Sequence, residues 1–261
     1  MAPPAADLET EFSLTIAAAD PEATSLAVVS LARLGPYRLQ PGPLLLLRDL
    51  YFDTPEEALR AAHVTLRIRS VGGELWVALK GDEERLPGAG VRRLEIERPW
   101  PEGAPEVAAE LDARGLGGLR FSHLPGAGDP RASVRAVGLA VVQDRECQRA
   151  VRHLVESGDP GATAAEMAVD AVVYHLPGVD VRHYEVEFEA RGPGGADAAR
   201  RAAALLHDAF RPALRPGVGS KLAIGRALER LRRSGVLADL VGPGGVLSPA
   251  AYDRLAAEIG A

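Results

Sequence analysis

The chain has 261 residues, 47% of them hydrophobic and 25% charged, and its formal net charge is −6. That balance is the ordinary one of a globular protein, and the length is enough for one large core without disulfides or a structural metal. The acidic balance excludes a general nucleic-acid binder, which is normally basic, but leaves room for a small anionic ligand in a locally basic pocket.

Along the chain, residues 8–16 alternate as a strand does. Asp20-Pro21-Glu22 opens a helix expected to run to about residue 34, with Gly35 at its end. Residues 44–52 form a strand, and Thr54 to Glu57 has the spacing of a capping box at a helix start. Residues 63–70 and 74–80 form a hairpin around Gly72-Gly73. Residues 91–100 make another strand, and a helix over 105–114 ends at Gly115. Residues 117–131, rich in glycine and proline, are expected to join two halves of one barrel. Strands follow at 136–146 and 148–156, a turn at 158–162, and strands at 165–176 and 181–190. A helix over 196–210, a loop over 211–219 and a helix over 221–233 come next, and Ser248-Pro249 starts a short final helix. About nine strands with helices between groups of them give an α+β protein dominated by antiparallel pairs.

Cys147 is the single cysteine, so no internal disulfide forms, and it reads as a small buried side chain. No stretch has the length and apolarity of a membrane span, and the N-terminal residues lack a signal-peptide pattern. A cytoplasmic protein with no membrane partner is the expectation. The six histidines show no metal-binding spacing and are taken as structural. Tyr51 and Tyr184 are taken as packing residues. The run Gly217-Val218-Gly219-Ser220-Lys221 lacks the Gly-Lys-Ser/Thr order of a phosphate loop and reads as a loop feeding a helix.

Charges stand two residues apart on several strands. Glu9 and Glu11 share one strand face, as do Arg67 and Arg69, then Arg93, Glu95 and Glu97, then Glu185, Glu187 and Glu189. Lys80 ends the hairpin partner of the arginine strand. The residues between are apolar: Leu66 and Ile68, Leu94 and Ile96, Val186 and Phe188. For one strand, a solvated outer face explains this. Across strands, the pattern points to charges inside a barrel, with the apolar faces packed beneath external helices. Enclosing like charges without partners costs several kcal/mol each, on the order of what buried ions lose in solvation. Carboxylate clusters therefore need divalent metal, and arginine clusters need an anion. A polyphosphate with its metal ions supplies both, and oxygen-only ligands favour Mg²⁺ or Mn²⁺ over Zn²⁺.

In chain order stand Glu9-Thr10-Glu11, Tyr51-Phe52-Asp53-Thr54, Leu66-Arg67-Ile68-Arg69, Leu79-Lys80-Gly81, Arg93-Leu94-Glu95-Ile96-Glu97, Asp144-Arg145, Val169-Asp170, Glu185-Val186-Glu187 and Ser220-Lys221. This series resembles the CYTH domain family, also called triphosphate tunnel metalloenzymes, which includes thiamine triphosphatases, inorganic triphosphatases and class IV adenylate cyclases. The resemblance implies an antiparallel eight-stranded barrel open as a tunnel, with helices packed outside. The family-like domain spans residues 1–235, and residues 236–261 form a helical extension of it. It implies metal ligands at Glu9, Glu11, Asp170, Glu185 and Glu187, and phosphate contacts at Arg67, Arg69, Lys80, Arg93, Arg145 and Lys221. Glu95 and Glu97 either support a second metal or orient the basic residues. Glu9, Glu11, Lys80, Arg93 and Lys221 are the residues expected to carry catalysis. Arg149 and Arg152 either join the basic set or lie on the surface.

The implied activity is metal-dependent hydrolysis of inorganic or small organic triphosphates, such as thiamine or nucleoside triphosphates, in a monomer or homodimer that binds no nucleic acid. Two alternatives stay open: an adenylate cyclase, and a binding module without turnover. The family motif reads Glu-x-Glu-x-Lys, and Ser13 stands here where its lysine would be. A lysine placed at residue 13 is expected to raise turnover, unless a cation from another strand such as Arg149 already fills the space.

Overall fold

The computed structural model describes residues 7–119, 129–156 and 163–260. The expected turn at 158–162, and residues 120–128 of the expected connection, lie outside the described residues. The elements are β1 (Asp7–Ile16), α1 (Pro21–Val29), β2 (Arg33–Leu34), β3 (Tyr37–Asp53), α2 (Ala58–Ala61), β4 (Thr65–Val71), β5 (Glu74–Leu86), β6 (Gly90–Pro99), α3 (Ala104–Ala113), α4 (Pro130–Ala136), β7 (Ala140–Glu156), β8 (Thr163–Leu176), β9 (Val179–Ala190), α5 (Gly195–Ala209), β10 (Leu214–Pro216), α6 (Lys221–Arg233) and α7 (Ala251–Gly260).

The strands run in the order β10-β1-β6-β5-β4-β3-β7-β8-β9, and β1 also pairs with β9. That last pairing closes an eight-stranded antiparallel barrel with the helices outside, leaving β2 and β10 as short additions. Among the described residues no helix is long and apolar enough to cross a membrane.

Most elements lie where hydrophobic periodicity puts them. The β4–β5 hairpin turns on Gly72 and Gly73 with φ of 59° and 86°. Both need positive φ, which glycine supplies without steric cost. Four local expectations are corrected. Helix α1 stops at Val29, because residues 33 and 34 pair with 38 and 37 around Gly35 and become β2. The Thr54–Glu57 capping box does not form, since Glu57 has a left-handed φ of 57° and α2 begins after it. Thr54 Oγ1 accepts instead from the Ala58 amide at 3.0 Å, and the Asp53 carboxylate accepts from the amides of Leu59 and Arg60 at 2.8 and 3.2 Å. The strands expected at 136–146 and 148–156 are one strand, β7, for no glycine or proline interrupts residues 140–156. Before it lies α4, capped by Asp129, whose carboxylate accepts from the Arg131 amide at 3.0 Å.

The chain forms two compact units. The first comprises the described part of Met1–Glu9 with Leu47–Glu84 and Arg92–Arg145. Its core gathers Phe52, Leu66, Ile68, Val77, Leu79 and Ile96 beneath Val107 and Leu111 of α3 and Val134 of α4. The second comprises Thr10–Leu46, Arg85–Val91 and Glu146–Ala261. Its core gathers Phe12, Leu14, Ile16, Met167, Val186 and Phe188 beneath Ala199, Ala202 and Leu206 of α5. Each fully buried aliphatic or phenyl side chain is worth about 1.5–3 kcal/mol. The apolar faces of the charged strands are thus the ones covered by helices, and alternation turns the charged faces inward.

Candidate active site

In the first unit, strand register brings the basic residues together. Asp49 of β3 is paired with Arg69 of β4, and Tyr51 with Arg67. Thr65 is paired with Lys80, so Lys80 shares the face of Arg67 and Arg69. Three guanidiniums surround the Asp49 carboxylate: Arg69 at 2.7 Å, Arg145 at 2.8 Å and Arg67 at 3.8 Å. Arg145 also lies over the Tyr51 ring, 4.5 Å from its centroid, and donates to the Tyr51 hydroxyl. Arg67 reaches Glu97 at 2.8 Å, and Lys80 reaches Glu95 at 3.1 Å and Glu9 at 2.7 Å. Arg93 closes the network on Glu9 at 2.9 Å.

Burial opposes ionisation of Asp49, but Arg69, Arg67 and Arg145 outweigh it and hold its carboxyl well below the usual range. Lys80 and Arg93 do the same for Glu9 against its own desolvation. Arg67, Arg93, Arg145 and Asp49 are buried. Asp53, also buried, is spent on backbone amides. Around Asp49, three guanidiniums meet one buried carboxylate, a local excess of positive charge that suits an anion.

The second unit has the opposite balance. The register pairs Asp170 of β8 with Glu185 of β9, and Thr15, Ser13 and Glu11 of β1 with Glu185, Glu187 and Glu189. One oxygen each from Asp170, Glu185 and Glu187 lie within 4.8 Å of one another, which can hold a metal ion. Lys221, the first residue of α6, stands among them, with Nζ 3.0 Å from Asp170, 2.5 Å from Glu187 and in ion-pair contact with Glu185. Arg149 clasps Asp170 through Nε and Nη2 at 2.8 and 2.6 Å and reaches Glu187 at 2.6 Å. Desolvation of Asp170 is outweighed by Arg149 and Lys221, which hold its carboxyl far below the usual range. Glu185 Oε1 is buried against the Lys221 ammonium, which Asp170 and Glu187 share. Three carboxylates against two cations, an oxygen-only donor set, fit a hard divalent ion such as Mg²⁺ or Mn²⁺.

Asp170, Glu185, Glu187 and Lys221 thus come together in one group, and Arg67, Arg69, Lys80, Arg93, Arg145, Glu9, Glu95 and Glu97 in another. Glu9 meets Lys80 and Arg93, while Glu11 falls in the register row of Glu189. Arg149 joins the carboxylate group, whereas Arg152 donates to the Leu31 and Leu39 carbonyls at 2.9 Å. Ser13 faces Glu187, and Gly217 lies so near that a Cβ there would stand 2.1 Å from Ser13 Oγ.

Two participants escaped sequence reasoning. Asp49 stands two residues before Tyr51 on the same strand face, but its partners depend on register. His183, taken as structural, reaches Glu185 with Nε2 at 2.8 Å and Tyr252 of α7 with Nδ1 at 3.1 Å.

These features define an antiparallel β-barrel protein whose inner strand faces carry buried charge in two groups. The chain belongs to the CYTH domain family, which matches residues 37–212. Its fold is similar to that of HpAC1 from Hippeastrum, a suggested adenylyl cyclase described as having a dominant triphosphatase activity. The identity is 19% and the TM-score 0.53, over 84% of this chain and 95% of that one. A suggested adenylate cyclase from Bacillus halodurans has 18% identity and a TM-score of 0.45, over 82% of this chain and 96% of that one. The RNA triphosphatase Pct1 of S. pombe has 10% identity and a TM-score of 0.38, over 81% and 88%. At such identities the likeness is one of fold alone. No curated protein matches the chain in sequence.

Proposed function

We propose that this protein is a divalent-metal-dependent phosphohydrolase of inorganic or small organic triphosphates. The observation that carries the reading is the opposite charge balance of the two buried groups. Arg67, Arg69 and Arg145 converge on one buried carboxylate, Asp49, with Arg67 also paired to Glu97, and their N–H donors suit phosphoryl oxygens. Lys80 and Arg93 add two cations steered by Glu9. Glu95 and Glu97 hold Lys80 and Arg67 in position and are assigned as orienting groups. Asp170, Glu185 and Glu187 are the residues that would hold the metal. A divalent ion there supplies charge for the phosphoryl oxygens and a polarised water. Lys221 and Arg149 hold the Asp170 carboxyl ionised and pair with Glu187 beside it.

Likeness to a protein of dominant triphosphatase activity agrees with hydrolysis. The test is a panel of tripolyphosphate, thiamine triphosphate and ATP with Mg²⁺ or Mn²⁺, reading orthophosphate and cyclic nucleotide together. Orthophosphate release that stops on chelation is expected. Cyclic AMP with pyrophosphate would replace the hydrolase by a cyclase, and tight binding without any product would leave a binding protein.

A further inference from the structure

Glu185 is held from behind by the last helix of the chain. His183 stands two residues before it on β9, and its Nε2 lies 2.8 Å from Glu185 Oε2. Its Nδ1 lies 3.1 Å from the Tyr252 hydroxyl, and the two rings are 5.6 Å apart and tilted. All three side chains are buried. An ionised carboxylate only accepts, so Nε2 carries a proton, and in the neutral ring Nδ1 accepts from the Tyr252 O–H.

The consequence falls on the other oxygen of Glu185. With Oε2 tied to His183, the carboxylate cannot spin, and Oε1 is held toward the Lys221 ammonium, which Asp170 and Glu187 also contact. A floppy glutamate would lose this orientation to rotamer entropy, or satisfy Oε1 elsewhere.

We propose that Tyr252 and His183 are positioning residues through which the C-terminal helix α7 sets the Glu185 carboxylate for divalent-cation binding. The inference rests on the reading of Asp170, Glu185 and Glu187 as the metal group. A ligand is oriented by the group hydrogen-bonded behind it, and losing such a group costs metal affinity about 10- to 100-fold. A purely structural role, the mutual satisfaction of two buried polar groups, would cost stability and leave affinity unchanged.

The experiment titrates the full chain with Mn²⁺ alone and reads free Mn²⁺ by electron paramagnetic resonance, with a melting curve for each variant. Wild type is expected to show a strong site that Asp170→Asn removes. Tyr252→Phe, which deletes one oxygen and keeps the ring, is expected to weaken that site about tenfold. His183→Leu is expected to weaken it further. His183→Gln, whose amide still donates toward Glu185, is expected to recover part of the loss. Equal Mn²⁺ affinity in wild type and Tyr252→Phe would overturn the relay while leaving the metal reading intact. A wild type without a site sensitive to Asp170→Asn would overturn the metal reading, and the relay with it.

Discussion

The two compact units use the same ingredients in opposite proportion. In the first, one buried aspartate gathers three guanidiniums, and in the second, three carboxylates gather one lysine and one arginine. Both sets sit on strands whose other face is covered by helices. Alternation along the strand puts charges inside in either case. On the proposed reading, the sign that the register buries in excess sets the ligand of each group, an anion in one and a cation in the other.

The largest effect expected is from inverting the centre of the first group. Asp49→Asn removes the carboxylate shared by Arg67, Arg69 and Arg145, and Arg145 is only 2% exposed. Breaking a buried ion pair from one side costs about 3–5 kcal/mol. The pH dependence carries the same signature. Folding depresses the Asp49 pKa, so its contribution is present above the unfolded carboxylate value of about 3.9 and is lost as pH falls toward the folded value. Asp49→Asn should therefore lower stability most at neutral pH and flatten the acid limb of the stability curve below about pH 4. Urea melts from pH 2 to 7 check this, and parallel curves for variant and wild type would show that Asp49 is not the centre of the network.

Next in size come the cations that the first group offers to a ligand. Arg67→Ala and Lys80→Ala should each weaken tripolyphosphate binding roughly 10- to 150-fold, the equivalent of one charge-assisted contact of about 1.5–3 kcal/mol. Raising salt should weaken wild-type binding as well, though less for buried pairs than for exposed ones. Calorimetric titration reads both, and unchanged affinity in both variants would leave these residues to the internal network alone.

How much of this was legible beforehand follows from what a strand pattern encodes. Period-2 alternation is local, so the shared faces of Glu9 with Glu11, Arg67 with Arg69, and Glu185 with Glu187 could be read directly. The glycines at 72 and 73 announced their hairpin for the same reason. Register is not local. That Asp49 opposes Arg69, or that Ser13 opposes Glu187, depends on pairing between distant segments. Helix α4 had its signal, an aspartate cap before Pro130, but it stood in a stretch dominated by glycine and proline. Strand β10 is three residues long and owes its existence to β1, which it pairs, rather than to any pattern of its own. His183 contacts Glu185 on its own strand face, but Tyr252 arrives from a helix about seventy residues later and no spacing rule connects them.

A smaller effect tests the second group at residue 13. The sequence alone favours a gain in turnover from Ser13→Lys, but the geometry opposes it. Gly217 donates its amide to the Ser13 carbonyl at 2.9 Å, and its Cα stands against the Ser13 side chain. A lysine must swing toward Glu187, which already holds Arg149 and Lys221. Overpacking of this kind typically costs about 1–3 kcal/mol, and a third cation beside two adds repulsion. The expected outcome is a lower melting temperature and no gain in phosphate release. A variant that melts like wild type and turns over faster would show that the charge at residue 13 was missing after all.

The smallest effect comes from a pair that alternation assigns to the other face. Arg48 and Asp144 neighbour Asp49 and Arg145 in sequence, and they form the same kind of contact, with Arg48 Nε and Nη2 at 3.1 and 3.0 Å from the two Asp144 oxygens. The two pairs lie on the same two strands, β3 and β7, one residue out of phase. Arg48 is 50% exposed, whereas Asp49 is 1% exposed. Asp144 also keeps Arg131 at 2.5 Å, so losing Arg48 does not leave it unpaired. Exposed pairs are worth about 0–1 kcal/mol because water competes for both ions and the arginine must be ordered. Arg48→Ala should therefore shift the melting temperature little and leave tripolyphosphate affinity at the wild-type value. Arg145→Ala, chemically the same substitution, should lower both. Measured side by side, the two variants hold sequence neighbourhood and bond geometry constant and change only the face of the strand. If Arg48→Ala weakened phosphate binding as much as Arg145→Ala, the sorting of charge by strand face would fail as the basis of the site.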